Sequence, residues 1–470
     1  MKKNVYSKNP EDYIDVSAVY SNQNWADEKA VYSYYSSIGI DFIDEKPNIE
    51  YATLVQYIMA NVCLVRNEEG IMYIYNFKRG VYEVCDAYNL SSVVRFILNQ
   101  GNISLFDKRK FNEIEAQIKS YTIHIIKAFD TGKYYTFINQ SYDVESFKVT
   151  PFSPKHFTLL KMDYKCDPSC IDHPVFDKFL DDFTCGNDEL KILIQEIAGY
   201  LFWPCNVAQR SFIMCGPARS GKSTMAKLLS MLLGGIENGA VISTSLNCLA
   251  SCFGLEGIEQ AKAIITTESE KDEYVKTSIY KAIVSGDSVS LNEKHRKRKT
   301  VAPKCKILSF TNHLPRFSEA DPSLERRILI FPCKADIKKE DIDTDLLNKL
   351  KMELPAIFNW AMEGLKRLKQ NKWIFSETDD TKGLVTNYIT SSDSLYKFIM
   401  EYIVADINAP FLRFSEIQLK YEIWASNNGY DVNTAKFGQL LVEHLDSLKI
   451  SYTASRQKGY DGVKGITLKQ

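Results

Sequence analysis

A glycine-rich run that ends in a lysine and a hydroxyl side chain is the strongest chemical signal in the sequence. Gly216, Gly221, Lys222 and Ser223 fit the pattern G-x-x-x-x-G-K-S/T, and the apolar run SFIMC precedes it while STMAKLLSMLL, with helical periodicity, follows. Backbone N–H groups of such a loop and of the next helix bind phosphate oxygens. This strand–loop–helix context predicts a phosphate-binding loop, formed by Gly216, Pro217, Ala218, Arg219, Ser220, Gly221, Lys222, Ser223 and Thr224.

Two carboxylates follow a second apolar run and could serve the same nucleotide. In AKAIITTESE, Glu268 and Glu270 come directly after the predicted strand, and Glu268 lies 46 residues beyond Lys222. ATP-hydrolysing sites need Mg²⁺ and a group that orients the attacking water. We predict that Lys222 reaches the β- and γ-phosphates of ATP, that Ser223 and Glu268 hold Mg²⁺, and that Glu268 is the general base, with Glu270 as second choice. One of the two glutamates is expected to be only a solvated loop charge.

Later polar residues extend the candidate catalytic set. The run KCKILSFTN predicts a third strand that ends at Asn312, whose amide could bind the γ-phosphate or the water. Arg326 and Arg327 precede the apolar run ILIFPC. An arginine here could reach the nucleotide of a neighbouring subunit and stabilise transition-state charge. The alternatives are a turn-forming asparagine and a surface ion pair, which is expected for one of the arginines.

A basic hairpin is predicted between the second and third of these strands. From Lys281 to Lys306 there are eight Lys or Arg and two Asp or Glu residues, a local net charge of +6. The β-prone arms Ser288–Leu291 and Thr300–Val301 flank a tip that carries Lys294, His295, Arg296, Lys297, Arg298 and Lys299. Such a cluster suits the phosphate backbone of nucleic acid, although a charge run is often just a solvated surface.

The elements that must position these residues alternate between strand and helix from about Gln209 to Cys333. This pattern predicts an α/β fold with a parallel sheet. An amphipathic helix is expected from Glu189 to Trp203, and helices within 341–371. The N-terminal part reads as α+β, with two strands in Ile71–Val84 joined by a turn at Asn76–Gly80, and helices near Ser91–Asn99 and Phe111–Ala128.

The C-terminal residues predict a winged helix-turn-helix. Helices are expected over Ser394–Val404, Phe414–Ser426 and Thr434–Leu448, followed by two strands with a turn at Lys458–Gly462. In that fold the second helix of the pair reads the DNA major groove. The candidate DNA contacts are Asn433, Lys436, Gln439, Arg456 and Lys458. An interaction or lid domain of the same fold is the alternative, because fold does not fix function.

Composition sets broader limits. The 470 residues carry 58 basic and 59 acidic side chains, for a formal net charge of −1, so the chain is not basic throughout. No apolar run approaches the ~20 residues that cross a bilayer, and no signal peptide is recognised. We expect a cytoplasmic protein with no membrane partner.

Eleven scattered cysteines fit a reducing compartment. A zinc site at Cys166, Cys170, His173 and Cys185 is the less favoured reading, because their spacing is irregular.

The order of the loop, the acidic strand, Asn312 and the arginines resembles helicase superfamily 3 of the AAA+ ATPases. LKILIQEIAGYLFWPCNVAQRSFIMCGPARSGKSTMAKLLSMLLG looks like the helicase module of phage, plasmid and poxvirus-type primase–helicases. By this resemblance Lys222 and Ser223 match Walker A, Glu268 Walker B, Asn312 the sensor, and Arg327 the arginine finger, with Arg326 close behind. Lys294 and His295 match the DNA-tracking pair. Thr267 departs from the animal-virus members, which have an acid there.

The resemblance implies a ring hexamer that moves 3′→5′ along one DNA strand. The expected divisions are an N-terminal module of unknown role (1–160), a linker and helical collar (161–205), an AAA+ core (206–340), a helical lid (341–390) and a winged helix (391–470). We expect an ATP- and Mg²⁺-dependent replicative helicase of a phage, plasmid or genomic island that is also an initiator, without primer synthesis. The alternatives are an origin-binding initiator ATPase that melts DNA and recruits another helicase, and a packaging or remodelling motor.

Overall fold

The computed structural model describes residues 9–15, 25–101, 103–121, 124–250, 255–267, 274–291, 299–317, 322–338, 340, 342–392, 394–428, 430 and 437–469. Within these ranges, no helix is both long enough and apolar enough to cross a membrane.

The N-terminal part combines short sheets with helices, as predicted. Its helices are α1 Glu28–Ser37, α2 Tyr51–Asn61, α3 Ala87–Leu98 and α4 Lys108–Ser120. Its strands are β1 Ile40–Ile43, β2 Lys46–Ile49, β3 Leu64–Asn67, β4 Met72–Asn76, β5 Val81–Val84, β6 His124–Ile126, β7 Tyr134–Thr136, β8 Ser141–Asp143 and β9 Lys148–Thr150. The sheets have the orders β1-β2, β5-β4-β3-β6 and β7-β8-β9. Strands β4 and β5 form the expected hairpin.

One predicted helix of this part is wrong at its C-terminal end. The expected helix Phe111–Ala128 ends at Ser120, and His124–Ile126 instead forms β6, which pairs in parallel with β3. The β-branched pair Ile125 and Ile126 favours the extended backbone, where branching at Cβ restricts the side chain least. Pairing with β3 then satisfies backbone groups that a longer helix would have used.

A five-stranded parallel sheet forms the centre of the chain. Its strands are β10 Ser211–Cys215, β11 Val241–Ser243, β12 Ala263–Thr267, β16 Lys306–Thr311 and β18 Ile328–Pro332. Their order is β11-β12-β16-β10-β18. In register, Phe212 of β10 lies between Leu308 of β16 and Leu329 of β18. Every residue of β16 and β18 is buried, which is typical of parallel strands covered on both faces.

Helices cover both faces of this sheet. They are α5 Pro174–Thr184, α6 Asp188–Tyr200, α7 Lys222–Leu232, α8 Thr277–Ser285, α9 Pro322–Glu325, α10 Leu346–Met352, α11 Leu354–Gln370 and α12 Asp379–Ser392. Smaller strands pair as β13 Tyr274–Val275 with β17 Arg316–Phe317, and as β14 Val289–Leu291 with β15 Lys299–Val301. Side chains alternate between two cores: Phe212 packs in one with residues of α5, α6, α7 and α11, and Ile213 in the other with residues of α8 and α12.

Two glycines allow α6 and α11 to pack with their backbones in contact. A Cβ added to Gly199 would lie 2.3 Å from the carbonyl oxygen of Ala361, and one added to Gly364 would lie 2.3 Å from the carbonyl oxygen of Gln195. At the N-terminus of α11, the carboxylate of Glu353 accepts hydrogen bonds from the backbone N–H groups of Val175 (3.0 Å) and Phe176 (2.8 Å). Glu353 thus caps the N-terminus of α5, where such groups lack helical partners.

The C-terminal residues fold around a separate apolar cluster. Their elements are α13 Ser394–Tyr402, β19 Ile403–Ala405, β20 Leu412–Arg413, α14 Phe414–Asn427, α15 Phe437–Ser447, β21 Thr453–Gln457, β22 Tyr460–Lys464 and β23 Ile466–Leu468. The expected helix Ser394–Val404 is therefore too long, because Ile403–Ala405 pairs with β23 as a strand. Strands β21 and β22 form an antiparallel hairpin.

Candidate functional site

The glycine-rich loop connects β10 directly to α7. Gly221, at φ +81°, precedes Lys222, the first residue of α7. Gly216 lies against the residue that follows β18: a Cβ there would be 1.9 Å from the carbonyl oxygen of Cys333. The Ile337 N–H donates to the Arg219 carbonyl at 3.1 Å. The loop is therefore fixed on one side by the residues that follow β18.

Lys222 is buried inside the loop that it ends. Its ammonium donates to the carbonyl oxygen of Gly216 at 2.8 Å and to the Ser220 hydroxyl at 3.0 Å. Burial lowers the pKa of Lys222 from its ordinary value, because removal from water disfavours the charged form. The lysine is 8% exposed, whereas Ser223 beside it is exposed. The two residues predicted to bind phosphate and metal thus face one space.

That space is a cavity of about 1270 Å³. It is bounded by the phosphate-binding loop from Ala218 to Thr224, by Thr267 at the end of β12 and by Asn312 just after β16. Because β10, β12 and β16 run parallel, their C-terminal ends meet at one edge of the sheet. Ligands in open α/β folds bind outside the carboxyl ends of such strands.

A turn sets the position of Asn312. The Thr311 hydroxyl accepts from the His313 N–H at 3.1 Å and donates to the His313 carbonyl at 2.6 Å. Asn312 is exposed at the cavity. Glu268 and Glu270, predicted as the catalytic and metal-binding acids, lie outside the described residues. The last described residue before them, Thr267, lines the cavity.

The far wall of the cavity was not predicted from the sequence. Val175 and Phe179 of α5 line it, together with Ile337, Ile342 and Leu346 of the stretch leading into α10. The loop packs closely against this wall at Gly221: a Cβ there would lie 3.2 Å from Phe183 and 3.4 Å from Phe179. These residues carry no shared spacing pattern, and they meet only because α5 and α10 pack together.

Arg326 and Arg327 lie at the opposite edge of the sheet from this cavity. Both precede β18, whose first residue, Ile328, is in register with Ser211 at the start of β10. The phosphate-binding loop begins after the other end of β10. Five residues of strand at about 3.3 Å each separate the two ends by roughly 15 Å. Arg326 is exposed, and Arg327 is half-buried.

The predicted basic hairpin lies at the same edge as the arginines. Strands β14 and β15 pair antiparallel, from Val289↔Val301 to Leu291↔Lys299. Lys294, His295, Arg296, Lys297 and Arg298 are outside the described residues, and Lys299 is the first residue of β15. The Asn206 amide donates to the carbonyl oxygens of Ile283 (2.9 Å) and Cys305 (3.2 Å), which flank the hairpin's two arms. It holds the base of the hairpin together.

The remaining candidates are dispersed. Of the four residues considered for zinc, Cys166 is buried, whereas Cys185 is exposed at the C-terminus of α5 and lines the cavity. Over the described ranges, no group of three or more His, Cys, Asp or Glu side chains could hold a metal ion.

In the C-terminal part, Arg456 is on β21 and Lys458 is in the β21–β22 turn, and Gln439 is on α15. Asn433 and Lys436 lie outside the described residues.

Two families match separate segments of the chain. Residues 64–185 match the family described as D5 N terminal like, and residues 214–327 match a family of unknown function designated DUF5906. The first match spans most of the N-terminal module, to which the sequence assigned no role. The second begins one residue before Cys215 and ends at Arg327. The D5-like match confirms the predicted resemblance to poxvirus-type primase–helicases.

One curated relative and a group of solved structures are also similar. An uncharacterized mitochondrial protein, ymf21, of Marchantia polymorpha is 35% identical over 101 residues, which is 19% of this chain and 56% of that protein. The chain thus matches only about half the length of this relative. Two apo structures of the NrS-1 C-terminal region have a TM-score of 0.44; they are 12% and 11% identical, and cover 88% of this chain and 97% and 98% of theirs. A TM-score of 0.44 is too low to support a statement about fold or function.

Proposed function

We propose that this chain, a relative of the D5-type primase–helicases, is a subunit of an ATP-driven replicative DNA helicase that assembles as a ring. The observation that carries the proposal is the cavity where the phosphate-binding loop, the end of β12 and Asn312 meet. A cavity at the carboxyl ends of parallel strands, beside a G-x-x-x-x-G-K-S loop, suits a nucleoside triphosphate.

The chain's own residues can bind and orient such a substrate. The Lys222 ammonium now donates to neutral oxygens within the loop, and phosphate oxygens would be stronger acceptors because they are charged. The exposed Ser223 hydroxyl and Glu268 would hold Mg²⁺, and Asn312 would orient the γ-phosphate or the water. When bound, Mg²⁺ neutralises charge that develops on the phosphates.

The sheet topology supports the finer assignment to the AAA+ ATPases. Numbered by their sequence order within the sheet, the strands follow the order 5-1-4-3-2, with the phosphate-binding loop after the first. This is the strand order of an AAA+ core. The C-terminal helices and the β21–β22 hairpin follow in the order of a winged helix-turn-helix. The domain divisions 1–160, 161–205, 206–340, 341–390 and 391–470 belong to the same proposal.

The position of the arginines supports a site shared between subunits. Arg326 and Arg327 are about one strand length away from the loop of their own chain, which is too far for a side chain to reach the phosphates. An arginine from the next subunit could complete the site in trans. The hexamer and the 3′→5′ direction rest on the family resemblance. The hairpin carrying Lys294 and His295 would bind one DNA strand in the central channel of the ring.

The experiment combines ATP hydrolysis with strand displacement on a forked DNA duplex. The wild type should hydrolyse ATP with Mg²⁺ and DNA and should displace the strand. Lys222→Ala should abolish both, whereas Lys227→Ala, which replaces an exposed lysine of the same helix, should change neither. Hydrolysis by Lys222→Ala would refute the nucleotide site.

A second candidate is an initiator ATPase that binds and melts an origin and recruits another helicase. The hairpin-bearing C-terminal segment favours it, because such a segment suits duplex DNA. DNA-stimulated hydrolysis by the wild type without strand displacement would support this candidate against the helicase. The proposed setting, a phage, plasmid or genomic island, follows from the resemblance in either case.

A further inference from the structure

Helix α15, the helix expected to read the major groove, exposes an acidic and apolar surface. Phe437, Leu441 and Leu445 face the core. On the outer side, the Gln439 amide donates to the Glu443 carboxylate at 2.9 Å, and Leu440 is 39% exposed. This amide is therefore already engaged. Carboxylates repel DNA phosphates, so the described part of α15 is poorly suited to lie in a groove.

The β21–β22 hairpin has the opposite character. Arg456 and Lys458 are exposed near its tip, and Lys464 is exposed at its far end. The turn is tight, since Lys458 (φ +49°) and Gly459 (φ +85°) both adopt the left-handed conformation. This is the two-residue turn whose twist matches that of the paired strands. The basic groups are thus held on a short, well-defined projection.

An aromatic residue lies beside these charges. Tyr460, 51% exposed, follows the turn directly, and the Arg413 guanidinium lies 4.0 Å from the centroid of its ring. Arg413 reaches this position because β20 pairs with β22, with Arg413 opposite Gly462. A side chain at position 462 would prevent that pairing, since its Cβ would be 2.2 Å from the Leu412 carbonyl oxygen.

The acidic residue on the hairpin competes only weakly for these charges. Asp461 lies 3.7 Å from Arg456, and both side chains are about 70% exposed (71% for Arg456, 69% for Asp461). Ion pairs this exposed contribute little, because water and salt screen them. Arg456 can therefore exchange Asp461 for a phosphate at small cost.

We propose that the C-terminal segment binds the phosphodiester backbone of nucleic acid through this hairpin and Arg413, and that α15 does not enter a groove. Arg413, Arg456 and Lys458 contact phosphates, and Tyr460 packs on a sugar. Such contacts position a protein without reading sequence. The inference concerns a surface apart from the nucleotide site and does not depend on ATP hydrolysis.

Fluorescence anisotropy of the full chain without nucleotide tests this, with a short labelled duplex of mixed sequence and the matching single strand as probes. The double variant Arg456→Gln/Lys458→Gln should bind more weakly by about 10- to 100-fold near 0.1 M salt. The slope of log affinity against log salt concentration should become shallower by an amount equal to about two phosphate contacts. The probe that shows the loss identifies the form of nucleic acid bound. Thermal melting checks that the fold is retained.

Two matched variants make the test specific. Asp461→Asn removes the acidic neighbour of Arg456 and should strengthen binding, which a purely structural role would not predict. Gln439→Ala/Glu443→Gln alters α15 and should leave binding unchanged. The proposal is overturned if the hairpin variant binds both probes as the wild type does, or if the α15 variant is the one that loses binding. Repeating the series in a chain that also carries Lys294→Ala/His295→Ala removes the contribution of the basic hairpin formed by β14 and β15.

Discussion

Arg327 is hydrogen-bonded to the end of α8: its Nε donates to the Ser285 hydroxyl at 3.0 Å. Its Nη1 also donates to the Ser323 carbonyl at 2.7 Å. Arg327 therefore ties the start of β18 to the helix that leads into the basic hairpin. Arg326 is exposed and makes no hydrogen bond or ion pair with another described side chain. By family resemblance Arg327 is the expected finger and Arg326 the second choice; because Arg327 is held by these contacts, we propose Arg326 instead.

Arg326→Ala should lower ATP hydrolysis by about 10³-fold or more, the range seen for arginine fingers. Because the group acts in trans, mixing Arg326→Ala with Lys222→Ala subunits should restore part of the activity. The interface that takes its loop from an Arg326→Ala subunit and its arginine from a Lys222→Ala subunit is then intact, whereas the reverse interface lacks both groups. Hydrolysis assays of the separate and mixed variants measure this. Arg327→Ala is the matched variant and should instead lower the melting temperature, and rescue of Arg327→Ala alone would contradict the assignment.

Asn312→Ala should slow hydrolysis by roughly 10²–10³-fold while leaving the KM for ATP nearly unchanged. Loss of a single polar group that acts on the transition state has effects of this size. Steady-state kinetics give kcat and KM separately. His313→Ala is the control, because only the backbone of His313 takes part in the turn that positions Asn312. A rise in KM without a fall in kcat would assign Asn312 to binding alone.

Neutralising the hairpin should separate hydrolysis from DNA movement. In Lys294→Ala/His295→Ala, ATP hydrolysis without DNA should persist, whereas strand displacement should be lost, because the channel contact would be weakened. Parallel measurements of hydrolysis and unwinding test this. Lys281→Ala, a lysine of α8 in the same basic stretch, serves for comparison. Normal unwinding by the double variant would remove the hairpin from the mechanism.

Lys306 makes stability depend on pH in the alkaline range. It is 2% exposed at the start of β16, and burial lowers its pKa from 10.5 to about 7. Between these values the unfolded chain binds a proton that the folded chain lacks, so stability should rise with pH by at most about 1.4 kcal/mol per unit. Below about pH 7 both states are protonated and this contribution is constant.

Lys306→Met should flatten that rise and should stabilise the protein most below pH 7, where a buried charge is replaced by an apolar chain of similar length. Chemical unfolding at several pH values between 6 and 10.5 measures it. Burial also lowers the pKa of Lys262. The Lys306→Met variant should therefore keep a smaller dependence of stability on pH. The Lys306 ammonium donates to the carbonyl oxygens of Trp203 and Lys304. An unchanged slope in Lys306→Met would show that these bonds keep the ammonium protonated in the folded chain.

The sequence predicted the elements whose signals are local. The loop at Gly216–Ser223, the strand before Asn312 and the hairpin arms all lie where their patterns placed them. The errors occurred where tertiary pairing determines the structure: β6 and β19 replaced helix ends because each found a partner strand. The acidic surface of α15 follows from which face packs on the core. Periodicity identified a helix there, but not what its exposed side chains bond to.

The far wall of the cavity could not be predicted for a similar reason. Phe179 and Ile337 are about 160 residues apart in the chain, and neither carries a recognisable motif. Their meeting beside Gly221 depends on packing of α5 against the segment after β18. Short sequence motifs therefore predict the side of the cavity formed by the loop and Asn312. The opposite wall can be recognised only once the chain has folded.

The cap that Glu353 provides for α5 has a consequence for biosynthesis. The bonded N–H groups belong to Val175 and Phe176, so this contact closes a loop of nearly 180 residues. A nascent chain that has emerged only as far as β18 already contains the phosphate-binding loop, but not the carboxylate that caps α5, a helix of the cavity's far wall. Competence to hold nucleotide should therefore appear late in translation, once α10 and the start of α11 have left the ribosome.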